Sequence, residues 1–263
     1  MTDIPFTQVD AFVVDGKPLT GNPAAVMILD DWLPDETMQA VAVENNLSET
    51  AFLGKADGGE ADWHLRWFTP SSEVNMCGHA TIASGHVVID DAPSVRFKTK
   101  SGVLPVSRDG DTLILDLPAN PVAEVDRADL CQALGIAPRP LHFTDRYDGA
   151  AIVLLDSQED VEAVSPDFAA LRDYPYLVIV TAPGRDTDIA SRVFAGGFGI
   201  DEDPVTGSAH AALGPFWADR LGRDRFTALQ ASARGGHLDI HLDGDRVKLG
   251  GICLTVIEGT FRL

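Results

Sequence analysis

"GVLPVSRDGDTLIL", residues 102–115, returns as "GHLDIHLDGDRVKL", residues 236–249. Aligned without gaps, the two share Gly, Leu, the Asp-Gly-Asp turn and the closing Leu, while Val106 meets Ile240 and Leu113 meets Val247. Apolar residues alternating around an Asp-Gly turn read as a β-hairpin. The likeness extends upstream: "LRWF" (65–68) against "SRVF" (191–194), and "CGHATIASG" (77–85) against "TGSAHAALG" (206–214). Strand, turn, helix and hairpin recur in one order, which marks an internal duplication. The expected fold is therefore α+β, with two pseudo-symmetric lobes spanning residues 1–118 and 119–263. Each lobe is expected to wrap a twisted, mostly antiparallel sheet around a central helix. "LPANPVAEV" (117–125) is the expected crossover, and the C-terminal strand either returns to the first lobe or closes its own.

The remaining elements follow from pattern. In the first half, strands are expected at 6–14, 24–30, 49–54 and 62–69, helices at 34–46 and 78–88, and a hairpin at 94–117. Acids stand at the start of the first helix, where the helix dipole favours them. In the second half, strands are expected at 150–155, 176–182 and 190–195, helices at 166–173 and 207–221, and a hairpin at 226–250. A helix enclosed by a sheet must be apolar nearly all round. "HATIASGHVVI" and "SAHAALGPFWA" meet that condition.

Composition narrows the function classes. The chain has 263 residues, 45% of them hydrophobic and 23% charged, enough for a large buried core. Its net charge of −20 argues against nucleic acid and against anionic membrane surfaces as partners. Cys77, Cys131 and Cys253 are scattered without the spacing of a disulfide framework or a zinc site, which suggests a reducing compartment. The first residues lack the basic start and apolar segment of a signal peptide. No run reaches the roughly 18 apolar residues of a membrane span. The expected location is the cytoplasm.

The two helix starts, "CGHA" and "TGSA", are the candidate chemistry. A helix N-terminus offers unpaired backbone N–H groups and partial positive charge, and Gly78 and Gly207 let a ligand approach the backbone. If both starts open into one interlobe cleft, they form an anion trap suited to a small carboxylate. Glu49, at a helix-to-strand junction, is the candidate acid/base, although it also reads as a polar loop edge. His79 could cap or pack, Asp203 could hold its turn, and Ser208 could cap its helix. No histidine shows a metal-ligand spacing and no phosphate loop is present, so neither metal nor cofactor is expected.

"GNPAAV" (21–26), "NLSETAFL" (46–53), "RWFTP…EV…CGHATIASG" (66–85) and "DEDPVTGSAHAAL" (201–213) together resemble the phenazine-biosynthesis PhzF-like proteins, over nearly the whole chain. The resemblance implies the two-lobed fold of diaminopimelate epimerase and a cofactor-independent isomerase. It implies Glu49 as acid/base, with His79, Asp203 and Ser208 as the other polar groups of the site. It places substrate-binding backbone at Gly78 and Gly207, with Ala80 and Ala209 beside them. The substrate would be a small, cyclic or unsaturated carboxylic acid, and a homodimer is the implied assembly. Related epimerases carry a thiol at each helix start. Here Cys77 is matched by Thr206, whose hydroxyl is too weak an acid or base, so two-thiol racemisation is disfavoured. Ala231 stands where a Gly would follow Gln230, leaving the contacts of Gln230 and Arg234 open. Two other functions share these features: a metabolite-binding protein without turnover, and an epimerase using Cys77 with Glu49.

Overall fold

Duplication of one supersecondary unit predicts two sets of pairings in the same order, and the computed structural model, which describes residues 2–56, 58–125, 129–147 and 149–263, has them. The chain divides into two compact units, Met1–Leu117 with Leu249–Leu263, and Pro118–Lys248.

In the first unit β1 (Asp3–Ala11) pairs antiparallel with β2 (Asn22–Leu29). The chain then crosses over α1 (Asp35–Asn45) so that β3 (Glu49–Lys55) lies parallel to β2. β4 (Trp63–Phe68) is antiparallel to β3, and the short β5 (Glu73–Val74) folds back on β4. After α2 (Gly78–Val88), β6 (Ser94–Thr99) returns parallel to β4 and continues into β7 (Gly102–Asp109) and β8 (Thr112–Pro118).

The second unit repeats this plan. β9 (Ala123–Val125) and α3 (Asp129–Ala133) precede β10 (Leu141–Thr144) and β11 (Ala150–Leu154). Two short helices, α4 (Gln158–Ala163) and α5 (Phe168–Leu171), carry the chain to β12 (Leu177–Pro183), parallel to β11. β13 (Ile189–Ala195) is antiparallel to β12, and β14 (Ile200–Asp203) folds back on it through a single 3₁₀ turn. Then come α6 (Gly207–Leu221), β15 (Arg225–Gln230) parallel to β13, β16 (Gly236–Asp243) and β17 (Arg246–Gly251). The last strand, β18 (Cys253–Arg262), pairs antiparallel with β1 and so belongs to the first unit, while β9 pairs with β10 in the second. Each unit's first strand is thus flanked by a strand that follows the other unit's hairpin.

Each unit has one helix enclosed by the sheet and others on the opposite face. In α2 every residue from Gly78 to Gly85 is buried, and the helix packs on β1, β2, β3, β7 and β18. Small residues permit the close approach. A Cβ on Gly85 would sit 2.7 Å from Val106 Cγ1, and one on Gly214, the same position in α6, 2.9 Å from Val247 Cγ2. On the other face of the first sheet, α1 buries Met38, Val41 and Ala42 against Ile4, Met27, Leu29, Phe52 and Phe68. Burial of each large apolar side chain contributes about 1.5–3 kcal/mol. α6 contains Pro215, which cannot donate to the carbonyl of Ala211; the backbone N–H of Asn120 does so instead, at 3.0 Å.

Some expected boundaries differ, for local reasons. The first strand runs 3–11 rather than 6–14, because Phe12 adopts the left-handed region at φ 60° and ends it. The helix expected at 166–173 is a single turn, Phe168–Leu171, capped by Asp167 accepting from the N–H groups of Ala169 and Ala170. The segment expected as a hairpin at 94–117 carries three strands, β6 to β8. α3, α4, β9, β10 and β14 are short elements that the pattern did not predict. No helix among the described residues is long and apolar enough to cross a membrane.

Candidate active site

Glu49 is the first residue of β3 and His79 the second of α2. Parallel pairing of β2 with β3 sets Glu49 beside Ala24, at the strand end next to Asn22. There His79 Nε2 lies 3.1 Å from Glu49 Oε2. Both residues are buried, His79 at 3% exposure and Glu49 at 9%. Despite the short distance, neither atom has a well-aligned hydrogen bond. The contact is one of charge and proximity, and both atoms keep hydrogen-bonding capacity.

The other edge of the imidazole is anchored. Nδ1 lies 3.1 Å from Asn22 Nδ2 and 3.6 Å from Cys77 Sγ, and Ser48 Oγ donates to Asn22 Oδ1 at 3.4 Å. Asn22 follows Gly21, whose φ of 74° takes the chain through a turn where a Cβ would collide with the Ala11 carbonyl. Burial works against the charged imidazole and the facing Glu49 carboxylate works for it, and the balance raises the His79 pKa above the ordinary histidine range. Burial, followed by the charge of Glu49, pushes the Cys77 thiol up to about 11. Cys77 is therefore a neutral thiol at physiological pH, a small apolar group more than a nucleophile.

The second unit builds its helix start from different residues. Asp203 ends β14 and Thr206 is the N-cap of α6. Thr206 Oγ1 donates to Asp203 Oδ2 at 2.5 Å. Gln230, fully buried at the end of β15, joins the turn to the sheet. Its Oε1 accepts from Thr206 N at 2.9 Å, and its Nε2 donates to the Asp203 carbonyl at 2.7 Å and to Thr206 Oγ1 at 3.3 Å. Gln230 thus holds the scaffold of the turn, and Arg234 lies half-buried in the loop that follows it. Asp203 does hold its turn. Ser208 does not cap: it lies inside α6, half-exposed, and its hydroxyl has no hydrogen bond to any described residue.

No side-chain oxygen caps either helix. The first bonds to the cap carbonyls come from Thr81 N to Cys77 O and His210 N to Thr206 O, both 3.2 Å. The amides before them, those of Gly78, His79, Ala80, Gly207, Ser208 and Ala209, have no partner within their helices. Gly78, Ala80, Gly207 and Ala209 are buried, so the donors of each start are screened from bulk water. Four residues past each cap a side chain also turns back, Thr81 Oγ1 to Cys77 O and His210 Nδ1 to Thr206 O at 2.8 Å. Burial lowers the His210 pKa to about 4, so this imidazole is neutral and its Nδ1 carries the proton.

Glu49, Cys77 and His79 bring one donor atom each within 4.8 Å of one another, a grouping that a divalent ion could exploit. The chemistry fits poorly, because the thiol holds its proton and the nitrogen facing it is engaged with Asn22. No sequence pattern marks Asn22 or Ser48 for the site, or fixes the partners of Gln230. Asn22 meets His79 across 57 positions, which no local pattern signals.

Comparisons with known proteins agree along the whole chain. A family model described as "Phenazine biosynthesis-like protein" matches residues 9–259. An uncharacterized isomerase of Pseudomonas aeruginosa is 51% identical over 265 residues, covering 98% of each chain. Another, from Halalkalibacterium halodurans, is 42% identical over 274 residues and covers all of both. Among solved structures, a phenazine biosynthesis protein of the PhzF family from Enterococcus faecalis superposes with a TM-score of 0.91 at 37% identity, covering 100% of both chains.

Proposed function

The chain belongs to the phenazine biosynthesis-like (PhzC-PhzF) family, and from that premise we propose that it is an isomerase that moves a proton between carbons of a small carboxylic acid without a cofactor. Glu49 is the base. Its carboxylate takes a proton from a carbon near the substrate's carboxylate, leaving an enolate-like anion, and returns that proton to a second carbon. No atom or electron is gained or lost. The amides of Gly78 and Ala80 bind carboxylate oxygens and stabilise negative charge as it builds. His79 steadies the Glu49 proton in transit.

The observation that carries this reading is the pair Glu49 Oε2 and His79 Nε2, 3.1 Å apart, buried, and both unused by aligned hydrogen bonds. A buried acceptor beside a buried donor, with capacity in hand, is what proton transfer to carbon requires. The high thiol pKa of Cys77 speaks against an epimerase that uses Cys77 with Glu49.

The test is incubation with a panel of small cyclic and unsaturated carboxylic acids in heavy water, read by mass spectrometry. Wild-type protein should place solvent deuterium in at least one acid, and Glu49→Gln should lower that rate about 10²- to 10⁴-fold while keeping the fold. Exchange at the wild-type rate in Glu49→Gln would remove Glu49 from the role. An acid that binds the wild type and never exchanges would instead make this a binding protein.

A further inference from the structure

We propose that Asn22, backed by Ser48, is the positioning residue that keeps His79 Nε2 on Glu49 through both protonation states of the imidazole, by turning its side-chain amide over. The inference rests on the proton-transfer reading above but concerns a residue to which that reading gives no part.

Geometry supports it first. Asn22 is fully buried, and its Nδ2 lies 3.1 Å from His79 Nδ1, on the ring edge opposite Glu49. An imidazole held only at Nε2 could swing about its χ2 torsion; a second contact at Nδ1 fixes the ring plane. The backbone at Asn22 is itself fixed, between the left-handed turn at Gly21 and the ladder that pairs Asn22 with Ala11.

Hydrogen-bond chemistry supplies the rest. With Nδ2 toward the ring, Asn22 donates to a bare Nδ1, which leaves the single imidazole proton on Nε2, facing Glu49. When the ring is an imidazolium, Nδ1 carries a proton and needs an acceptor. Rotation of the amide by half a turn presents Oδ1 to Nδ1, and moves Nδ2 to the Ser48 hydroxyl. Ser48 Oγ, 3.4 Å from the amide, donates in the first arrangement and accepts in the second, as a hydroxyl can. The carboxamide therefore has a group to offer both neutral and charged His79. An aspartate there would serve the charged ring alone, and an isosteric apolar side chain would serve neither. The groups that face the ring are Glu49 at Nε2, with Cys77 and Asn22 at Nδ1.

The experiment follows the ring itself and needs no substrate. Protein labelled with ¹⁵N-histidine is titrated by long-range ¹H–¹⁵N correlation, with His79→Gln to assign the His79 signals. In wild type, Nε2 should remain protonated throughout, with only Nδ1 changing state. Asn22→Asp should move the His79 titration up by about 1 to 3 pH units, because an opposite charge favours the imidazolium. Asn22→Leu should move it down, because the charged ring loses its acceptor. Near-UV circular dichroism of both variants checks that the core is intact, and Asn22→Ser replaces either that fails. A residue that merely packs would not shift the titration in opposite directions in two isosteric variants. Unchanged titration in folded Asn22→Asp overturns the proposal and leaves Glu49 as base untouched. Deuterium exchange surviving in Glu49→Gln would remove the base while leaving this result standing.

Discussion

Arg66 grips Glu73 with both arms of its guanidinium, Nε to Oε1 at 2.8 Å and Nη2 to Oε2 at 2.9 Å, and the duplicated half repeats the clasp with Arg192 and Glu202 at 2.7 and 2.8 Å. Each pair spans the hairpin that leads into an enclosed helix, β4 to β5 before α2 and β13 to β14 before α6. Bidentate pairs of this geometry fix direction as well as energy. Arg66 adds a bond to Asp35 at the start of α1, and Arg192 donates to the Val164 carbonyl at the end of α4. The clasps are therefore equivalent in the sheet and different in the helix they reach.

Arg66→Lys should lower stability by roughly 1–3 kcal/mol, because one ammonium cannot reproduce the planar fork. The interaction with Arg66 holds the Glu73 carboxyl below the ordinary range, burial opposing it. Such a group adds stability above its unfolded pKa, and loses it as pH falls through its folded pKa. Urea denaturation between pH 7 and pH 3 should show a shallower acid decline in Glu73→Gln than in wild type; equal declines would contradict the assignment.

The second titration has the same sign and a different origin. Burial lowers His210 to about 4, so the unfolded chain binds more protons than the folded one between about 6.5 and 4. Stability from the neutral ring is complete above that window and is lost as pH falls through it, by on the order of 3 kcal/mol. His210→Gln should flatten the stability curve between pH 6.5 and 4 and leave its shape above pH 7 unchanged. Guanidinium midpoints at matched pH values decide the matter.

Cys77 should be chemically quiet. With its pKa near 11, thiolate is scarce at pH 7.5, and iodoacetamide should modify Cys77 far more slowly than free cysteine. Cys77→Ala should keep deuterium exchange within about tenfold of wild type, since the thiol fills space. A loss matching Glu49→Gln would restore the epimerase reading.

Gly85→Ala should destabilise by about 1–3 kcal/mol, although alanine is the better helix former, because the added methyl meets the stiff branch of Val106 at 2.7 Å. Adding Val106→Ala should recover part of that loss, and the coupling is measurable in a double-mutant cycle. Thermal melts of the four proteins give the numbers.

The duplication was legible because a hairpin with an Asp-Gly turn and a glycine-started helix are local patterns, and both enclosed helices begin and end at the residues their sequences mark: Gly78–Val88 and Gly207–Leu221. Glu49 stands at a strand start and His79 at a helix start, both visible in local pattern, and the parallel β2–β3 register brings them together. The role of Asn22 is not legible in "GNPAAV", since its partner His79 lies in another element. The scaffold role of Gln230 was equally hidden, as it depends on β15 ending beside the turn at Asp203. The short helices α3 and α4 are one or two turns long, too brief for periodicity to declare them.

The pairing of β1 with β18 sets an order on synthesis. Thr2 and Leu263 exchange backbone hydrogen bonds at 2.7 and 3.0 Å, so β1 finds its neighbour in a strand made only after the whole second unit. The first unit emerging from the ribosome carries an unpaired β1 edge until β18 has followed, and a cut between Leu117 and Pro118 would separate β1 from its partner strand.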